Sequence, residues 1–199
     1  MQRMVLELRG IPCIALEEHV PDRKSIIASR SFGRAVTSFQ ELCEAVASYT
    51  ARAAEKMRRQ SLATAHIAVF VETNSFKPSD AQYHATRAVR LPVASADSGT
   101  LAIAAARALR LLWKDGYRYK KAGVMLLDLV PASKVQGDLW TLADTPRSNA
   151  LMRALDSLNR DYGRGTLTYA AAGKQQAWKL RRDFMSPRYT TEWSELLSI

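Results

Sequence analysis

Arg30, Ser31 and Gly33 stand within four residues of one another in the stretch Lys24 to Arg34, KSIIASRSFGR. A cation and a hydroxyl can hold phosphate oxygens, and a residue without a side chain lets them approach the backbone N–H groups closely. The chemistry these types point to is the holding of a nucleic-acid backbone. The same residues also suit a basic strand end running into a turn, so their context has to decide. Further basic and hydroxyl side chains of this kind are Ser29, Arg87 and Arg90, together with Arg118, Lys120 and Lys121 in the run that leads into a later apolar stretch.

Bond-making chemistry finds little support. His19, His66 and His84 are dispersed with no ligand spacing, and each reads as structural or exposed. Two-metal nucleotidyl transfer needs carboxylates brought together to clamp the ions. Asp128 is the only acid in a strong apolar strand and is expected at an edge or strand end with a hydrogen-bond partner. No GxGxxG or Walker pattern occurs. Cys13 and Cys43 are the only cysteines; they are too far apart for a metal knuckle and too few for a disulfide framework, so both are expected reduced and structural. No active site, metal or cofactor is therefore expected within these residues.

The chain has 199 residues and a net charge of +10. That length holds one good core plus an appendage, or two small domains. The charge argues for an anionic partner, and nucleic acid leads over an acidic membrane surface. No apolar run approaches the roughly 18 residues of a membrane span, and the start MQRMVLELRG is charged where a signal peptide needs an apolar core. A cytoplasmic location with no membrane partner is the expectation.

The elements that must position these residues can be read from period and punctuation. Met4 to Arg9 reads as the last turns of a helix stopped by Gly10; so short a piece either packs on the neighbouring domain or ends a larger element, and the second is expected. Ile11 to Arg23 reads as a linker. Lys24 to Arg34 is a strand, since Ile26 and Ile27 are β-branched between turn signals. Thr37 or Ser38 caps a helix with Phe39, Leu42, Val46, Tyr49, Ala53 and Met57 on one face; its mixed-sign opposite face reads as solvated. His66 to Thr73 and Tyr83 to Leu91 are strands, with Pro92 ending the second. Asp97 or Ser98 caps a second helix that runs towards Gly116, and Ala122 to Val130 is a fourth strand closed by Pro131.

This order, β-α-β-β-α-β, predicts an α+β fold: a four-stranded antiparallel sheet with both helices on one face and the other face open. Beyond it, Lys134 to Thr145 reads as a linker. Thr145 with Pro146 starts a third helix with Leu151, Leu155, Leu158 and Tyr162 on one face. Gly165 to Gly173 reads as a short extended piece, and Lys174 to Phe184 as a basic helical turn or two. In the tail, Tyr189, Trp193, Leu196 and Leu197 share one side of a short helix if Thr190 or Thr191 caps it, which makes that side an anchor for a partner's groove.

Several separate motifs in order carry a resemblance: the strand end Ser29-Arg30-Ser31-Phe32-Gly33, the segment Tyr49 to Arg58, the run Tyr117 to Leu126, and the ending Met185 to Thr191. Together they resemble the C-terminal part of the UmuC family, the catalytic subunits of error-prone Y-family DNA polymerases. The resemblance implies the end of a thumb helix and a linker over 1–23, a little-finger DNA-binding domain over 24–131, a linker over 132–146 and a C-terminal region over 147–199. It implies DNA held through strand amides and basic side chains, with Arg30, Ser31 and Gly33 as the matching positions. The palm carboxylates that hold Mg2+ in such a polymerase lie upstream of the matched region, so no catalysis and no cofactor is implied here. UmuD-type subunits, and RecA as a further contact, are implied partners of the C-terminal region.

Gln136-Gly137-Asp138-Leu139-Trp140 suits an apolar groove that takes Leu139 and Trp140 while Gln136 fixes the register. It resembles the sliding-clamp-binding pentapeptide Gln-Leu-x-Leu-Phe, from which Gly137 and Trp140 depart. The alternative is that Leu139 and Trp140 fold back onto the domain. Two other functions compete. An RNA-recognition module shares the βαββαβ plan but carries a Gly-aromatic run on its third strand, and Tyr83 to Arg90 lacks it. A partner-docking module would use mainly the tail, with DNA binding incidental.

Overall fold

The computed structural model describes residues 2–14, 24–138, 140–141, 144–180 and 184–196. Strand β1 (Ser25–Val36) leads to helix α2 (Phe39–Arg58), strands β2 (Leu62–Thr73) and β3 (His84–Ser95), helix α3 (Ser98–Leu112) and strand β4 (Tyr119–Pro131). They come after α1 (Gln2–Leu8) and precede α4 (Pro146–Asp161). The sheet is four-stranded in the order β1-β4-β2-β3, with every neighbouring pair antiparallel. This is the α+β plan expected from the element order.

The core forms because α2 and α3 present apolar faces at helical spacing to one side of the sheet. Leu42, Val46, Tyr49, Ala53 and Met57 of α2, and Leu101, Ala105, Ala108 and Leu112 of α3, are buried against Ile26, Ile67, Val69, Val124 and Leu126. The Asp97 carboxylate caps α3 by accepting from the Thr100 N–H at 2.8 Å. Thr145 caps α4, its hydroxyl accepting from the Ser148 N–H at 3.1 Å, with Pro146 in the first turn.

Pro92 does not end the third strand; β3 runs through it to Ser95. The pairing steps from Thr64↔Ser95 to His66↔Arg90, so the ladder is broken where proline has no N–H to give, and β3 is an edge strand. Asp128 lies near the end of β4, one residue past the last pair with β1, Ser25↔Leu127, and where pairing with β2 steps from His66↔Leu127 to Thr64↔Leu129. It takes a left-handed φ of 48° and puts Oδ2 2.8 Å from His66 Nδ1, without the alignment of a hydrogen bond. The first helix buries none of its residues, leaving Met4, Val5 and Leu8 exposed.

Most departures lie after β4. On α4 the expected stripe is turned outwards: Leu151, Leu158 and Tyr162 are exposed, while Met152 and Asn159 are buried. Polar clasps set this rotation. Asp156 takes two hydrogen bonds from Arg58, and Asn159 both donates to and accepts from the Leu167 backbone at 2.9 Å. The piece from Gly165 to Gly173 is not extended but turns into a 3-10 helix, Ala170–Ala172, packed on α2. The outer face of α2 is therefore partly covered, and a side chain at Gly173 would collide with Glu44 at 2.4 Å.

Among the described residues, 174–180 form no helix. Trp178 instead enters the core, 3% exposed, edge-on to Phe32 and Tyr49 at centroid distances of 6.0 and 5.6 Å. Among the described residues of the tail, a 3-10 turn, Trp193–Glu195, stands where the capped helix is expected, and Arg188 pairs with Glu195 across it.

Candidate nucleic-acid interface

Antiparallel register sorts every strand residue onto one side of the sheet or the other, because paired residues share a face and successive ones alternate. On the open side the rows read Ser25–Leu127–His66–Arg90, Ile27–Met125–Ala68–Ala88, Ser29–Gly123–Phe70–Thr86, and Ser31–Lys121–Glu72–His84. On the helix side they read Ile26–Leu126–Ile67–Val89, Ala28–Val124–Val69–Arg87, and Arg30–Ala122–Val71–Ala85. The open face thus has an apolar centre flanked by polar and charged rows.

The candidate phosphate-holding residues are divided by this arrangement. Ser29, Ser31, Lys121 and Arg90 lie on the open face. Arg30 and Arg87 lie in helix-side rows at the two opposite edges, both exposed. Lys120 falls where the pairing of β4 with β2 steps from Glu72↔Lys121 to Thr73↔Tyr119, and its ammonium donates to the Phe32 carbonyl at 2.7 Å. Arg118 precedes β4 and stands 3.2 Å from Asp80. Lys121 sits 3.3 Å from Glu72 and 5.5 Å from the centre of the Phe70 ring, so its charge is shared with neighbours.

Two glycines are explained by close approach. At Gly123 a Cβ would meet the Phe70 ring at 2.4 Å and Ser29 at 2.5 Å; the missing side chain lets Phe70 lie across β4. At Gly33 a Cβ would meet the Lys179 carbonyl at 2.5 Å, and the Gly33 N–H already donates to the Trp178 carbonyl at 3.0 Å. Gly33 is therefore not an open amide for phosphate, as its place beside Arg30 and Ser31 suggests. It is the seat of the segment 174–180.

Trp178, Phe70 and Gly123 are the residues that motif reading misses. A lone tryptophan inside a basic segment, and a glycine inside an otherwise apolar strand, are the only signals of them. The remaining candidates stay apart. Gln136 is exposed, Trp140 is 89% exposed and Leu139 lies outside the described residues. Trp140 has not folded back onto the domain; its backbone N–H donates to the Asp138 carboxylate at 2.9 Å. Tyr189, Trp193 and Leu196 are exposed, and Leu197 lies outside the described residues.

Burial pushes the Cys43 thiol up, with Arg110 opposing and Glu44 assisting, which keeps it protonated and unreactive. Both cysteines are free. Among the described residues no three His, Cys, Asp or Glu side chains gather as a metal would require. No helix among them is long and apolar enough to cross a membrane.

Fold and face define a class: a split βαβ domain with an open antiparallel sheet face, buttressed by a C-terminal extension that reaches into its core. The chain belongs to the impB/mucB/samB family, whose C-terminal domain it matches over residues 23–139. A domain of unknown function (DUF4113) matches residues 149–199. Protein UmuC of Salmonella typhimurium LT2 is 43% identical over all of this chain and 47% of its own length. Protein SamB of Salmonella typhimurium is 39% identical, and protein MucB of Escherichia coli 40%, each over 98% of this chain and 46% of the relative. The chain spans about half the length of these relatives. The UmuC-like resemblance read from the motifs is thus shown.

Proposed function

We propose that this chain is the DNA-gripping and partner-docking portion of a UmuC-like, Y-family translesion DNA polymerase of the SOS response, with no catalytic role of its own. The observation that carries the reading is the open sheet face in a basic chain of this family. Arg90 and Lys121 stand on it as cations, Ser29 and Ser31 add hydroxyls, and no base-reading aromatic pair is required. Such a face holds phosphates without reading sequence.

Anisotropy titration of labelled primer-template against salt tests this. Neutralising about three to five phosphates gives a log-log slope of roughly −3 to −5. Arg90→Ala is expected to weaken binding equally on unrelated sequences and to make the slope shallower by about one. Salt-insensitive binding, or a strong preference for one sequence, would count against the reading.

Partner docking rests on a different observation. Trp140 of the linker and Trp193 of the tail are 89% and 87% exposed, and tryptophan is among the side chains that most often anchor interfaces. In this reading Gln136, Leu139 and Trp140 meet a sliding clamp, and Tyr189, Trp193, Leu196 and Leu197 meet a UmuD-type subunit, with RecA as a further partner. Trp193→Ala is expected to reduce capture of a UmuD-type subunit at least severalfold, as loss of an aromatic anchor does, while DNA affinity is unchanged. Equal capture by both proteins would remove the tail from the interface.

A further inference from the structure

A cleft of about 940 Å³ opens on the helix side of the domain, between the end of β1, the outer face of α2 and the segment 164–180. Its charge is one-sided. Arg30, Arg52, Arg164, Lys174 and Lys179 line it against a single acid, Glu55, and Glu55 is already paired with Arg59. Among the described residues none of the five cations is in an ion pair. Like charges gathered around one concavity focus a positive potential in it.

The cleft's polar lining points the same way independently. Tyr49 and Trp178 are 2% and 3% exposed, both line the cleft, and neither the phenol oxygen nor the indole N–H has a hydrogen-bond partner among the described residues. Buried polar groups are normally paired. A third unpartnered atom on the same wall, Gln176 Oε1, is an acceptor, but the two groups able to donate and the five cations outnumber it, and the complement of such a lining is an anion with several acceptor oxygens.

We propose that this cleft is a phosphate-binding site, separate from the open sheet face. Phosphate fits better than carboxylate because it offers more oxygens and charge to a site so rich in donors. Ser31 belongs both to the cleft lining and to a row of the open face, so a nucleic-acid strand leaving that face around β1 at Ser31 reaches the cleft. A free polyphosphate supplies the same chemistry.

The test is an NMR titration of the whole chain with oligo-dT and with inorganic tripolyphosphate, reading the Trp178 indole N–H. A saturable shift with oligo-dT that tripolyphosphate reverses identifies a strand as the occupant, and a shift with tripolyphosphate alone identifies the free anion. Either supports the site. Arg52→Ala with Lys174→Ala is expected to weaken the shifting ligand about tenfold, the equivalent of one or two charge-assisted contacts. The free variant should keep the wild-type Trp178 resonance. Arg90→Ala, away from the cleft lining, should leave the effect of tripolyphosphate on Trp178 intact even where it weakens oligo-dT, so failure of the sheet-face reading and failure of this one are distinguishable. No shift with either probe, an unaffected double variant, or an equal response to a polyglutamate peptide would overturn the proposal.

Discussion

Trp178→Ala is expected to destabilise the protein by about 3–5 kcal/mol, the range for truncating a buried aromatic side chain. The side chain is 3% exposed and packs edge-on against Phe32 and Tyr49, both in the core. Its indole N–H has no partner among the described residues, so the loss is one of packing, and Trp178→Phe should recover most of it. Gly33→Ala attacks the same junction from the other side with the tryptophan intact, since the added Cβ would stand 2.5 Å from the Lys179 carbonyl. Both variants should release residues 170–180 from α2 and β1. Urea denaturation and hydrogen exchange at the Gly33 amide, which donates to the Trp178 carbonyl, measure this. A Trp178→Ala protein within about 1 kcal/mol of wild type, the centre of the range for ordinary substitutions, would show that the segment is an ornament on the domain.

The second large effect is expected at Arg58, where three segments meet. Its Nε and Nη2 donate to Asp156 of α4 at 2.7 Å each, and its Nη1 donates to the Ala96 carbonyl and the Ser98 hydroxyl at 2.8 Å. The guanidinium side chain is 11% exposed and Asp156 21%. Removing one partner of a buried pair strands the other, which costs about 3–5 kcal/mol; the partial exposure of Asp156 places Arg58→Ala near the lower end. Asp156→Ala should cost a similar amount, and the double variant little more than either single one, because they act through one contact. Additive losses would mean that Arg58 works mainly through Ala96 and Ser98.

Acid should loosen the same junction. Burial raises the Asp97 carboxyl, but the Thr100 N–H, the Ser148 hydroxyl and further donors outweigh it and hold its pKa below the usual carboxylate range. Ser148 belongs to α4 and donates to Asp97 at 2.8 Å. Because the folded value is depressed, this contribution is complete above the unfolded carboxylate pKa of about 3.9 and is lost as pH falls through the folded value. Exchange at α4 should therefore rise in acid before exchange in the sheet does.

The βαββαβ plan was legible because hydrophobic period is a local property. Phe39 to Met57 repeats at helical steps whatever lies opposite, and Asp97 caps its helix through bonds made within the first turn. The seating of residues 174–180 on β1 was not legible, because Gly33 and Trp178 explain each other only when far-separated segments meet. Beside Arg30 and Ser31, Gly33 reads as a phosphate seat; in the fold its missing side chain admits the Lys179 carbonyl. On α4 the apolar stripe was visible and its orientation was not, since Arg58 and Leu167 turn the helix by polar contacts from elsewhere.

What the chain's own residues determined was the order of elements and the basic balance. Tertiary structure alone decided which way each basic side chain faces. Alternation along β1 puts Arg30 opposite to Ser29 and Ser31, but only pairing with β4 says that Arg30 shares the side of Ala122 and the helices. A strand's period is two everywhere along it, and only its neighbours break the tie between the two faces.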